Sequence, residues 1–180
     1  RATFNWADRV LLTATFRADG SSKFGANNKY GYFPSIAAAW NITNEDFMAS
    51  ANFISNLKLR ASWGQTGNQE FPSAASLPVV SIGNGVLQER RNFENADIKW
   101  ETNTMTNIGI DFGFMDNRLT GTADWFQRQT TDPIFQFDVT APGPRTGGRY
   151  WKNLPATIDN SGIEFALNYA IIRNANMTWN

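Results

Sequence analysis

The sequence predicts an all-β chain, an arc of about eight antiparallel strands from the wall of a large transmembrane β-barrel. Three observations predict it. Apolar side chains recur with a period of two rather than 3.6, and full charges sit on the opposite face. The connections between the alternating segments switch regularly between short and long. No apolar run approaches the ~20 residues that a membrane-spanning helix requires, and the first residues lack the basic-then-apolar order of a secretory leader.

Taken in order, residues 1–6 give a short stretch of alternation. In the next segment Val10, Leu12, Ala14 and Phe16 share one face, and Leu11, Thr13, Thr15 and Arg17 share the other, with Leu11 the one misfit. Residues 34–42 repeat the pattern more weakly. Leu57, Leu59, Ala61 and Trp63 then oppose Lys58, Arg60, Ser62 and Gly64. Ile108, Ile110, Phe112 and Phe114 oppose Asn107, Gly109, Asp111 and Gly113. Leu119, Gly121, Ala123 and Trp125 oppose Thr120, Thr122, Asp124 and Phe126. Ile163, Phe165, Leu167, Tyr169 and Ile171 face away from Glu164, Ala166, Asn168 and Ala170, and residues 176–180 begin a further segment. The outer two segments are cut in mid-pattern, so the sequence reads as a section of a longer chain, with residues 1–180 all inside one barrel domain.

Tight turns are expected at residues 6–9, 115–118 and 173–176, which are rich in the Asn and Asp that tolerate turn conformations. The connection from Thr43 to Asn56 is expected to hold one helical turn capped by Thr43 or Asn44, with Glu45 and Asp46 favouring its N-terminus. These lie at one end of the strands. Long loops over residues 19–33, 65–98 and 131–159 lie at the other. Short turns on one side and long loops on the other are the arrangement of an outer-membrane barrel. Such a sheet must close on itself, because lipid cannot satisfy an open strand edge. Trp6, Trp40 and Trp179 fall near the short turns, and Trp63, Trp100 and Trp125 toward the long loops, as two interfacial girdles would require. The same alternation is compatible with a soluble all-β carbohydrate-binding module that buries its apolar faces between two sheets.

Composition narrows the chemistry. The chain has no Cys and no His, which removes disulfides, most zinc sites and the Ser-His and Cys-His nucleophile pairs, and no cofactor or metal site is expected. The formal charge of zero offers no basic stripe for nucleic acid. Glu94 and Asp97 are loop carboxylates, but nothing in their spacing sets the geometry of a glycosidase pair, and no catalytic role is expected. Candidate contacts with the contents of the lumen are Arg17, Lys58, Arg60, Asp111, Asp124 and Glu164, on the polar face. Candidate recognition residues in the loops are Tyr30, Tyr32, Arg145, Arg149, Tyr150 and Trp151, which offer rings and guanidinium groups for sugars or a partner protein.

The order of several blocks resembles one family. They are Arg17-Ala18-Asp19-Gly20-Ser21-Ser22-Lys23-Phe24-Gly25, Tyr30-Gly31-Tyr32-Phe33-Pro34-Ser35, Leu57 through Gln69, Lys99-Trp100-Glu101-Thr102, Asn107-Ile108-Gly109-Ile110-Asp111 and Asn160-Ser161-Gly162-Ile163-Glu164. Spread over nearly the whole chain, they make it similar to SusC/RagA-type TonB-linked outer-membrane transporters. The resemblance implies a barrel of about 22 strands in the outer membrane of a Gram-negative bacterium. It also implies a plug domain in the lumen, drive from the TonB complex through an N-terminal box, a SusD-like surface lipoprotein as lid, and import of glycans or oligopeptides. Plug, box and C-terminal strand are expected outside residues 1–180.

Overall fold

The computed structural model describes residues 1–25, 27–73, 75–140, 147–174 and 177–179, with backbone alone at 86–91, 172–174 and 177–179. Among the described residues thirteen strands form: β1 (Ala2–Trp6), β2 (Val10–Gly20), β3 (Tyr30–Asn41), β4 (Ile54–Asn68), β5 (Val79–Gly83), β6 (Val86–Asn92), β7 (Glu101–Phe114), β8 (Leu119–Thr131), β9 (Ile134–Val139), β10 (Gly148–Asn153), β11 (Thr157–Tyr169), β12 (Ile172–Asn174) and β13 (Met177–Trp179). A continuous antiparallel sheet of seven strands runs β1-β2-β3-β4-β7-β8-β11, and a second sheet of four runs β5-β6-β10-β9. The eighth expected segment does not join the wall. Met177–Trp179 pairs with Ile172–Asn174 on the two sides of the third expected turn, a separate two-stranded sheet beyond the end of β11 at Tyr169.

Register confirms both faces of the wall. Trp6, Val10, Trp40, Leu59, Ile110, Ala123 and Phe165 stand in one cross-strand row on the apolar face. The neighbouring row holds Phe4, Leu12, Ala38, Ala61, Ile108, Trp125 and Ile163. Most of this face is exposed in the chain alone, with Phe165 at 77% and Leu167 at 72%.

The apolar band also drifts along the register, as it must when tilted strands cross a slab of fixed height. Phe16 on β2 lies opposite Pro34, whereas Trp63, the last apolar residue of its row on β4, lies opposite Ile36, two residues nearer the short turns. Ile108 on β7 lies opposite Ala61, two residues further down again, and Trp125 and Ile163 continue at that level. Past that limit the outward face turns polar, with Thr106, Gln127 and Ser161 in one row and Thr104, Gln129 and Asp159 in the next.

The short-turn end matches expectation in place and differs in detail. Ala7 and Asp8 both adopt positive φ, at 49° and 54°, the two-residue turn whose twist suits a hairpin. Asn5 secures it by donating from Nδ2 to Asp8 Oδ1 at 2.6 Å. Met115, Asp116 and Asn117 form the second turn, all at positive φ, and the backbone of the third, at 175 and 176, lies outside the described residues. Between β3 and β4 two 3-10 turns appear, Ile42–Asn44 and Asp46–Met48, and neither has a side-chain cap. Thr43 and Asn44 are drawn elsewhere. Thr43 Oγ1 accepts from the Leu57 amide at 2.5 Å, and Asn44 Nδ2 donates to the Asp8 carbonyl at 2.9 Å.

At the other end the strands outrun the alternation. β2 reaches Gly20, β3 starts at Tyr30, β4 runs to Asn68, β7 starts at Glu101, β8 runs to Thr131 and β11 starts at Thr157. The loops are accordingly shorter than expected, and two of them fold into the second sheet. Arg149 of β10 pairs in parallel with Asn92 of β6, so the sheet stitches two loops together. Beneath it lies the chain's core of Phe24, Phe33, Phe71, Ala75, Ile98 and Trp100, with Ile134 and Trp151 packed against it.

Candidate functional site

The polar face of the wall carries a charge network built across three strands. Arg60 on β4 grips Asp111 of β7 through Nε and Nη2, at 3.0 and 2.8 Å, and extends Nη2 to Asp124 of β8 at 3.0 Å. Reaching β8 means crossing β7, and the residue opposite Arg60 there is Gly109, itself opposite Asp124. A Cβ at Gly109 would collide with the Asp124 carboxylate and stand 3.0 Å from Arg60 Nη2. Lys58 lies opposite Asp111, and Glu164 lies opposite Asp124. Thus Lys58, Arg60, Asp111, Asp124 and Glu164, five of the six residues anticipated for the lumen side, form one patch. Its Arg60 charge is satisfied within the wall.

The sixth, Arg17, stands higher, in a crevice of about 620 Å³ on the polar face. Its cause is a fork in the sheet. β3 pairs with β4 only as far as Ser35 opposite Gly64, then continues beside β2 to Tyr30 while β4 continues beside β7 to Asn68. Pro34 sits at the parting, and without an N–H it cannot extend the ladder. Arg17 from β2 and Arg128 from β8 flank the opening, and Ser35, Ser62, Thr66 and Asn103 line it. Arg17 pairs with Asp19 at 2.9 Å in an exposed contact, whereas Arg128 has no ion pair or side-chain hydrogen bond among the described residues. Arg128 lies two residues past Phe126 on β8, so the same alternation places it on the polar face.

The loop residues divide differently from expectation. Tyr30 and Tyr32 are not in a loop. They extend the outward row of β3, 69% and 62% exposed, with Tyr32 stacked on Phe16 at 6.0 Å between centroids. They join Trp63 and Trp125 as the aromatic edge of the apolar band. Trp100, expected in that girdle, is instead buried at the centre of the loop core, 4.6 Å from Phe24 and 5.5 Å from Phe33. Gly67 makes room, since a Cβ there would collide with both Phe33 and Trp100. Trp151 packs on Phe71 at 6.4 Å. Tyr150 is half-buried opposite Phe137, and Arg149 is exposed opposite Asp138. Arg145 lies outside the described residues, and so do the side chains flanking the third turn, including Trp179.

Polar clasps lock the loops. Lys23 Nζ donates to the carbonyls of Gln69 and Phe71, at 3.2 and 3.0 Å, and lies 5.7 Å over the Phe71 ring. Asn153 Nδ2 donates to the carbonyls of Lys99 and Asp132 at 2.8 Å each, and Lys99 Nζ pairs with Asp132 at 2.7 Å. Glu101 accepts from Asn68 Nδ2 and from the Ile134 amide, at 3.0 and 3.1 Å. Among the described residues no group of three or more carboxylates is placed to hold a metal ion.

A tilted apolar band, a polar inner face and loops folded into a cap at one end define a section of a large outer-membrane-type barrel wall. The chain belongs to the TonB dependent receptor-like, beta-barrel family, whose model matches residues 1–180. It is 35% identical over 190 residues to the TonB-dependent receptor SusC of Bacteroides thetaiotaomicron, covering 99% of this chain and 19% of that protein. It is also 35% identical to the TonB-dependent receptor P3 of Formosa agariphila, over 99% of this chain and 18% of that one. Among solved structures it matches the RagAB peptide transporter with a TM-score of 0.81 and 26% identity, over 98% of this chain and 20% of the other. The Pseudomonas aeruginosa siderophore receptor PirA shares the fold at a TM-score of 0.63 and 16% identity, over 98% of this chain and 31% of that one. The chain therefore spans about a fifth of the length of the curated relatives it matches.

Proposed function

We propose that residues 1–180 form part of the barrel wall of a TonB-dependent importer in the outer membrane of a Gram-negative bacterium, and that its cargo is an oligosaccharide or peptide too large for a porin. The observation that carries this reading is the drift of the apolar band along the register. A soluble sheet has no slab of fixed height to follow. Membership of a family of receptors and transporters, and the likeness to SusC and RagAB, support it. In this reading the wall passes cargo between lumen and loops, a plug outside residues 1–180 fills the lumen, TonB supplies the drive and a SusD-like lipoprotein covers the cap. No step calls for a catalytic residue or cofactor in the wall. A soluble carbohydrate-binding module is not favoured, because it would cover the apolar face with a second sheet, and Ile163, Phe165 and Leu167 are 65–77% exposed.

Fractionation of cells making the intact parent protein tests the reading. It should stay with the outer membrane through high-salt and alkaline washes and leave only in detergent. Recovery in the soluble fraction would overturn it.

A further inference from the structure

The geometry points to the fork between β3 and β4 as a binding site for acidic oligosaccharide, with Arg128 and Arg17 holding carboxylate or sulfate groups of the sugar chain. This deepens the importer reading and rests on it. The argument begins from the distribution of cations on the polar face. Arg60 is cancelled by two carboxylates within hydrogen-bond distance. The lining of the fork has two guanidinium groups and no carboxylate. Asp19 offsets Arg17 only through an exposed pair, 61% and 34% accessible, which solvent screens. Arg128 has no ion pair or side-chain hydrogen bond among the described residues. An uncancelled guanidinium beside a concave wall favours an anion with two oxygens in one plane, which it can hold bidentately.

The remaining lining decides between kinds of anionic polymer. Thr13, Ser35, Ser62, Thr66 and Asn103 supply hydroxyl and amide groups. Asn103 Oδ1 already accepts from Thr130 Oγ1, so its amide hydrogens remain for a ligand. These groups suit a hydroxyl-rich chain, and Phe33 and Met105 beside them offer apolar surface on which the C–H face of a sugar ring can pack. The site lies where cargo entering past the loops would reach it. It opens beside the row of Ser35, Gly64, Met105 and Arg128, above the level of Ile108 and Trp125 where the apolar band ends on β7 and β8. Arg17 and Arg128 stand four strand spacings apart, roughly 19 Å, so their side chains reach inward over a span of a few sugar residues.

The test uses the full-length protein in detergent, with oligogalacturonate as the carboxylate probe and a sulfated galactan oligosaccharide as the sulfate probe. A neutral malto-oligosaccharide and an acidic peptide of similar length complete the set. At least one acidic oligosaccharide should bind ten-fold or more tightly than the neutral one, and its affinity should fall with salt. Arg128→Gln should weaken that binding about 10-fold, as expected for one charge-assisted contact, and Arg17→Gln by less. Lys152→Gln, an exposed cation on the cap, should leave it unchanged. Which probe wins separates carboxylate from sulfate. Equal or better binding of the neutral sugar, binding of the peptide alone, binding of none of the probes, or indifference to Arg128→Gln would each overturn the assignment. So would a drop in heat stability of the ligand-free variant with affinity unchanged, which would give the guanidinium to a contact within the protein. None of these results touches the importer reading, which stands or falls by fractionation.

Discussion

The wall and the cap are made from the same chain and solve opposite problems. Among the described residues the interior strands of the wall carry mostly half-buried side chains, and the buried hydrophobics gather almost entirely in the cap. The cap encloses Ile98 at 0% and Phe24 at 2% exposure. The difference follows from the solvent each meets. Lipid is as apolar as the side chains that face it, so the wall needs only backbone pairing and correct sidedness. Loops in water must bury apolar area to hold a shape, and here they pool aromatic residues from three separate connections to do so.

The comparison can be broken most forcefully at Trp100. Replacing it with Ala should cost the cap about 3–5 kcal/mol, as for a large aromatic lost from a core, yet leave barrel assembly intact. Protease added to whole cells should then cut within residues 69–100 or 132–156 while the folded barrel persists in unheated electrophoresis. Loss of the barrel as well would show that the two regions do not fold separately.

Next in size is a charge on the apolar face. Leu59→Arg should cost about 2–4 kcal/mol at mid-depth and reduce the amount of assembled protein, whereas Ser62→Arg on the polar face should not. Equal losses would erase the distinction between faces.

Gly109→Ala should cost on the order of 1 kcal/mol by severing Arg60 from Asp124 while leaving the Asp111 contact. A lower temperature for loss of the folded band is the readout, and an unchanged temperature would mean that the three-strand network adds nothing to the wall. The smallest effect is expected for Lys23→Met, under about 1 kcal/mol. Faster proteolysis between Gln69 and Phe71 would register it, and unaltered cleavage would remove Lys23 from the set of clasps.

Much of the wall was legible because strand sidedness is a local property. Leu57, Leu59, Ala61 and Trp63 declare their face by parity alone, and antiparallel pairing carries that face to the next strand. Leu11, the misfit, lies inward opposite Ala39, as its parity requires. Strand ends were less legible, because beyond the apolar band both faces are polar and parity leaves no mark. That is why β4 past Gly64 reads as loop, and why nothing in the alternation past Phe126 singles out Arg128.

Sequence also left Trp100 and the tyrosines ambiguous, since an aromatic near a strand end serves a girdle or a core equally well. Tyr30 and Tyr32 went to the girdle and Trp100 to the core. The choice depended on whether Phe24, Phe33 and Phe71 could close around the ring, and those residues come from the β2–β3 connection, from β3 and from the β4–β7 connection.

By itself, then, the sequence determined the all-β wall, its two faces, its short-turn end and the charges on its polar side, all of which follow from side chains alternating along one strand. Tertiary structure alone decided the fork at Pro34, the passage of Arg60 across Gly109 and the cap. Each depends on which residues of distant strands and loops come to lie opposite one another, and strand pairing and loop packing set that arrangement.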